Sequence, residues 1–394
     1  MRQKKNTLQY VSALTILALS LSILPIDLPI GLPSAFDANA GGMLLASTEA
    51  PMRVYTFTEV GQIAQNNSPD IIRQKGSVDQ ADYNRESLLT NYQMQVYEFY
   101  SGGESNITED MLLGLQDSYE DAFNRYIDAE ETLEKLKPKV AYQAQKLYID
   151  ILLTEAQIQI QAQEILRLRD EYVLAEVKAA FGSISPTQLR NAKAQWDEAV
   201  DSLENMQSTL NNSKNTMREY LNIPDTREFV LENPPNIGQY AQVFDAEEVR
   251  EAALKNSLAL KQAKREVDEI GERIQRYEIY GERDRAAQLA AGGRNADLAY
   301  KETRLSLERT VESAIKDFHD LKTAEEKAKE SLTEAGRSLV TTQVKLHMGI
   351  ATVGEVKQAE KAVLTAERAL SQAQYNYYLG AKRLILLKEG ILVN

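Results

Sequence analysis

Apolar residues recur along this chain at alternating steps of three and four, and they do so twice. After Gly182 the series runs Leu189, Ala192, Trp196, Ala199, Leu203, Met206, Leu210; after Gly349 it runs Val356, Ala359, Val363, Ala366, Leu370, Ala373, Tyr377. Every pair is separated by the same 167 positions. A mean step of 3.5 residues keeps one stripe of a helix on a partner helix, as in a left-handed coiled coil. The pattern therefore predicts two copies of a helix packed on a helix. Ahead of each glycine lies a second apolar line. In the first copy Ile151, Ile158, Ile165 and Tyr172 stand at heptad spacing, flanked by Leu147, Leu168 and Ala175. In the second, Phe318, Leu332 and Leu339 are flanked by Ala314, Leu321, Ala328 and Ala335, and Glu325 interrupts the line.

The openings of the two copies also correspond. Val60 matches Val249, Asn67-Ser68 matches Asn256-Ser257, Val78 matches Val267 and Asp79 matches Asp268, at a separation of 189. The difference, 189 − 167, gives the first copy 22 additional residues before its glycine. Ser68-Pro69 marks a helix start, with a capping hydroxyl and a proline at the first helical position. A short helix precedes each opening and a longer one follows it. The first longer segment runs to about Tyr100, turns at Ser101-Gly102-Gly103 and restarts near Thr108, a capping residue. The second is expected to turn at Ala291-Gly292-Gly293. From Thr108 to Phe181 one long helix is predicted, with a kink at Pro138. Its roughly 75 residues at 1.5 Å each span about 110 Å, which two shorter helices placed end to end would match.

The expected fold is all-α: two tandem repeats of long antiparallel coiled-coil hairpins, 41–222 and 244–394, with almost no strand. Residues 223–243, with Pro224, Pro234 and Pro235, read as a linker beside the waist of the rod, and Glu228-Phe229-Val230-Leu231 is its one extended candidate. At the lower turns Gly182 and Gly349 suit the left-handed residue that ends a helix. Capping boxes follow, Ser185 with Gln188 and Thr352 with Glu355, and Pro186 presets the first helical dihedral. Stable hairpin turns account for all of these residues.

Charge and composition narrow the function. A net charge of −13 at pH 7 provides no basic field for nucleic acid. With no cysteine, disulfides and thiolate metal sites are excluded. His319 and His347 fall on predicted helix surfaces, far apart, as solvated side chains. Gly102-Gly103 and Gly292-Gly293 lack the strand and lysine of a phosphate loop. Carboxylates at Glu130, Glu131 and Glu134, or at Asp197 and Glu198, lie on regular helices without a pocket to shift their titration. No enzyme, cofactor or metal site is expected. Arg2, Lys4 and Lys5, an apolar run from Val11 to Leu24 and Ala38-Asn39-Ala40 read as a signal peptide over 1–40; the alternative is an uncleaved anchor. Either places the body of the protein outside the cytoplasm.

Nearly all of the chain after the leader resembles the outer-membrane efflux protein (TolC) family. The openings QNNSPDIIRQKGSVDQA and KNSLALKQAKREVDE, the glycine tips with their alanine-spaced coils, and the closing AQYNYYLGAKRLILLKEG carry the resemblance in that order. It implies a homotrimer whose six repeats enclose a twelve-helix tunnel, an outer-membrane location, and partners in a membrane-fusion adaptor and an inner-membrane transporter. It places adaptor docking at Gly182, Ser183, Ile184, Gly349, Ile350 and Ala351. It also puts a constricting acid at Glu355, with Gln358 where a second acid is expected; as read from the residues, Glu355 serves equally as the capping-box side chain. One departure stands out. The family closes a membrane barrel from paired strands at the upper turns, and YEFYSGGESNITEDM and AQLAAGGRNADLAYK offer no segments of about ten alternating residues. The implied function is an exported tunnel or sleeve in an efflux or type I-like secretion assembly. The alternative is a non-conducting coiled-coil scaffold of the cell surface or wall.

Overall fold

The computed structural model describes residues 53–101, 107–224, 228–232 and 244–393. The leader at 1–40, Gly102-Gly103 and Pro234-Pro235 lie outside the described residues. The elements are β1 (Arg53–Tyr55), α1 (Phe57–Asn67), α2 (Pro69–Tyr100), α3 (Glu109–Ala180), α4 (Pro186–Leu221), β2 (Phe229–Leu231), α5 (Ala246–Asn256), α6 (Leu258–Ile279), α7 (Arg283–His347) and α8 (Val353–Lys388). Of the described residues 89% are helical, and the fold is all-α as the periodicity predicts.

Local chemistry sets the helix starts. The Ser68 hydroxyl accepts from the Asp70 amide at 3.3 Å and Pro69 fills the first helical position; Thr108 accepts from the Met111 amide at 3.2 Å. From there α3 continues for 72 residues without a break in its helical assignment, with Pro138 inside it. Proline forfeits one backbone hydrogen bond, and tertiary packing along the rest of the helix outweighs that loss. Against α3 pack α2 and α4, of 32 and 36 residues; against α7, of 65 residues, pack α6 and α8, of 22 and 36. Each repeat is thus one continuous helix flanked by an interrupted pair. All fourteen positions of the glycine-proximal seams, Leu189 to Leu210 and Val356 to Tyr377, are buried or half-buried.

One expected turn is displaced. Ala291-Gly292-Gly293 is interior to α7, and the chain reverses at Tyr280–Glu282 instead, where Gly281 takes φ 79°. Tyr280 caps α6, and the Gly281 and Glu282 amides return to the Glu278 and Tyr277 carbonyls at 3.2 and 2.9 Å. Gly293 serves packing, since a Cβ there would meet Ile270 of α6 at 3.2 Å. Alanines on either side supply enough helix propensity to carry a glycine pair.

With the turn relocated, the 22 additional residues of the first repeat find their places. Compared with their counterparts, α2 is ten residues longer than α6 (32 against 22) and α3 seven longer than α7 (72 against 65). The remainder lies in the connections, 101–108 against 280–282. Neither connection has the length for two barrel strands of about 9–11 residues each. Among the described residues the only strands are β1 and β2, of three residues each, paired in parallel with Val54 opposite Val230.

That small sheet caps the waist. Residues 229–231 form the extended element expected within the linker, whereas β1 is too short to show a period in the sequence. The buried Tyr148 of α3 donates to the Tyr55 carbonyl at 3.2 Å and contacts the Glu232 carbonyl, pinning both strands to the long helix. Around it Phe57, Val60, Ile71, Ile149, Ile151 and Met217 form one core; Val249, Leu307, Val311, Phe318 and Leu384 form a second in the other repeat. Lys135 of α3 ties them together by donating to the Asn256 carbonyl at the end of α5, while Asn256 donates to the Lys388 carbonyl at 2.7 Å.

Candidate functional site: the helical tips and the seams behind them

The two lower turns are built alike. Gly182 and Gly349 have φ of 70° and 72°. The Gly182 amide reaches the Ala179 carbonyl at 2.9 Å and the Ser183 amide the Lys178 carbonyl at 2.8 Å; Gly349 and Ile350 repeat both bonds to Leu346 and Lys345 at the same distances. These are Schellman closures, and the left-handed residue they require is glycine. The next helices start with both expected capping boxes. The Ser185 amide donates to Gln188 Oε1 at 2.8 Å and the Gln188 amide to Ser185 Oγ at 3.3 Å. The Thr352 amide donates to Glu355 Oε2 at 2.6 Å and the Glu355 amide to Thr352 Oγ1 at 3.2 Å.

Glu355 is therefore engaged. The backbone amide and the hydroxyl of Thr352 hold its carboxyl below the ordinary carboxylate range, and it is ionised at neutral pH as a cap. Gln358 stands exposed one turn further along α8. The tip residues expected from the sequence lie together at the two turns: Gly182, Ser183, Gly349 and Ile350 are exposed, Ile184 and Ala351 half-buried. Sequence reasoning missed the apolar surface behind them. Val173, Val177 and Phe181 line one side of α3 at four-residue steps, and Val340, Val344 and Met348 line the corresponding side of α7, all exposed. The signal was present in the sequence, since each pair obeys the 167-residue offset outside the coiled-coil seam.

Charge joins the repeats. Near the tips, Lys357 and Lys361 of α8 pair with Asp170 and Glu164 of α3 at 3.1 and 2.9 Å. Glu164 also takes Arg167 at 2.8 Å. The Arg167 hydrogen bond, opposed by partial burial and reinforced by Lys361, holds the Glu164 carboxyl down to about 2. In the upper half a second set links α3 to the second repeat: Glu131 to Lys261 at 3.0 Å, Asp128 to Arg265 at 2.9 Å, Asp117 to Arg276 at 2.8 Å, Asp121 to Arg273, and Asp110 to Arg285. All of the acids are on α3 and all of the bases on its partners. No such cross-repeat ladder was expected from sequence, because solvated and paired charges share one helical period.

Among the described residues no helix is long and apolar enough to cross a membrane, and no group of histidines and carboxylates could hold a metal ion.

No protein-family model and no curated protein matches the chain. Solved structures do. The chain is similar to the Campylobacter jejuni CmeC outer-membrane channel, with a TM-score of 0.61 at 11% identity over 91% of this chain and 94% of that one. It is similar to a membrane protein from Pseudomonas aeruginosa, with 0.61 at 12% identity over 84% and 92%. It is also similar to the outer-membrane protein VceC from Vibrio cholerae, with 0.58 at 13% identity over 85% and 96%. The fold is that of the helical part of TolC-like channels.

Proposed function

We propose that this chain is an exported, TolC-like component of an efflux or secretion assembly, a helical tunnel or sleeve that meets a membrane-fusion adaptor at its lower tips. The observation that carries this reading is the pair of glycine turns with matching dihedrals and closing hydrogen bonds. Two tips with the same closure and capping, each backed by an exposed apolar line, present one docking surface twice per chain. In a homotrimer six copies of that surface would surround one axis. The docking residues are Gly182, Ser183, Ile184, Gly349, Ile350 and Ala351. Glu355 acts chiefly as a cap, and with glutamine at 358 the mouth of the tunnel carries one acid per chain at these positions. A leader over 1–40, repeats over 41–222 and 244–394, and the linker 223–243 complete the organisation, placing the protein in the cell envelope.

A specific observation supports a second reading, a non-conducting surface scaffold: the upper connections are too short for barrel strands. Electron microscopy of the purified chain without its leader separates the two. Closed rings with a lumen are expected; isolated rods at all concentrations would replace the tunnel by the scaffold.

A further inference from the structure

The two repeats stop at different heights, and the part of the first that rises past the second has a composition of its own. At the offset of 189 the last residue of α6, Ile279, corresponds to Thr90, so residues 91–100 of α2 have no counterpart. At 167 the first residue of α7, Arg283, corresponds to Gln116, so residues 109–115 of α3 have none either. Of residues 91–100, NYQMQVYEFY, four are aromatic and one, Glu98, is charged, whereas the whole chain is 7% aromatic and 26% charged. Coiled-coil packing does not account for this. Met94, Tyr97 and Tyr100 follow at steps of three on one face and are exposed, the two tyrosines by 74% and 79%.

The end of α6 repeats the end of α2. Tyr277-Glu278-Ile279-Tyr280 answers Tyr97-Glu98-Phe99-Tyr100 at an offset of 180 instead of 189, so the motif keeps its place at the turn although the helix behind it has changed length. In the shorter hairpin its first tyrosine is used internally: Tyr277 is buried and donates to Asp117 at 3.0 Å, with Arg285 over its ring. In the taller hairpin Tyr97 stands in water. Large aromatic and thioether side chains exposed together at the end of a rod mark a contact surface. With a single charge among ten residues this end offers little to a strongly acidic or basic partner, and the net charge of −13 repels an anionic surface. What it matches is an uncharged or zwitterionic surface that takes tyrosine at its boundary, the interface of a lipid bilayer.

We propose that the taller upper tip seats on a zwitterionic bilayer without crossing it, with Tyr97, Phe99 and Tyr100 in the headgroup layer and Met94 at its edge. The dimensions agree. Ten residues rise about 15 Å and the last turn of α2 about 5 Å, against a headgroup layer of about 5–8 Å per leaflet and a hydrocarbon core of about 30 Å. The tip is long enough to enter the interface and too short to span the core. Tyrosine hydroxyls stay among the headgroups, whose ammonium groups meet the aromatic rings and the Glu98 carboxylate. No strand takes part in this contact, and it goes beyond the choice between tunnel and scaffold, serving either.

The absence of cysteine lets a probe be placed at either end of the rod. Full-length protein carrying Ser101→Cys at the upper tip, or Ser183→Cys at the lower, is labelled with an environment-sensitive fluorophore and mixed with phosphatidylcholine vesicles. The probe at position 101 is expected to brighten and shift to the blue, at low salt and at about 1 M salt alike, while the probe at 183 stays as in water. Adding Tyr97→Ser and Tyr100→Ser should raise the lipid concentration needed about tenfold or more, a shift of one decade in Kd. Both tyrosines are exposed, so circular dichroism should report an unchanged fold. The leader is common to all of these variants, so the loss identifies the tyrosines. A silent probe at 101, equal responses at the two tips, or a response that survives loss of both tyrosines would overturn the seat. A probe at 101 that answers isolated cell-wall glycan and not vesicles would replace the bilayer by the wall. Rings in the microscope with a silent probe would reject the seat and keep the tunnel; a responding probe on isolated rods would do the reverse.

Discussion

Gly182 and Gly349 take the same left-handed backbone, and neither has a neighbour that a side chain would strike. What selects glycine there is the dihedral alone. A β-branched residue at positive φ costs about 1–2 kcal/mol, so Gly182→Val should open its tip locally, with faster amide exchange confined to about 176–190 and little change in global melting. Unchanged exchange would mean that the Schellman closure contributes nothing at the tip. Glu164 gives a prediction in pH. Its carboxyl ionises at about 2 when folded and near 4.5 when free, so its contribution is complete above 4.5 and is lost as pH falls through about 2. Glu164→Gln should therefore melt below the wild type at pH 7, and the two melting curves should converge near pH 2; a constant gap would show that the pairing with Arg167 and Lys361 is not its source. At this scale the sequence was informative wherever one residue type answers one geometric demand. Both tip glycines, both capping boxes and the Thr108 cap are where the sequence places them. Tyr148, buried against two strand carbonyls, gives no such signal, because its partners come from distant segments.

Between elements, the coiled-coil seams were legible and the upper turn was not. Seam positions share a period that burial enforces, and all of them are covered. The turn was misplaced because a glycine pair reads as a breaker, whereas a helix among alanines tolerates it and uses Gly293 to admit Ile270. Glu325 shows how the two repeats diverge within one seam. It is 8% exposed, held by Lys329 at 2.7 Å, and occupies the position that Ile158 fills in the first repeat. Replacing a buried ion pair by an aliphatic residue is often neutral or stabilising. Glu325→Ile, copying the first repeat, should raise the melting temperature by about 1–2 °C, the scale of 1 kcal/mol in a chain of this size. A fall in melting temperature would assign the carboxylate a structural role beyond Lys329.

Across the whole molecule, the upper halves of the repeats are held together mainly by charge. Seven ion pairs cross from α3 to α6 and α7, with few close backbone approaches between α3 and α6. At 1 M salt the screening length falls to about 3 Å. Amide exchange in α6 should then rise relative to α8, whose junction with α3 also contains the buried waist; equal exchange in both would show that packing rather than charge holds the upper seam. Charge patterning of this kind is invisible from one chain read linearly, because a paired acid and a solvated acid look the same until the partner helix is placed.

The unequal upper turns carry a consequence of their own. With α2 ten residues and α3 seven residues longer than their counterparts, the first hairpin stands roughly 10–15 Å taller at 1.5 Å per residue. In the proposed ring the rim would be castellated, with merlons and embrasures in alternation. A flat surface laid across it would rest on the merlons alone, beside the exposed Tyr97 and Tyr100, leaving the embrasures as side ports beneath it.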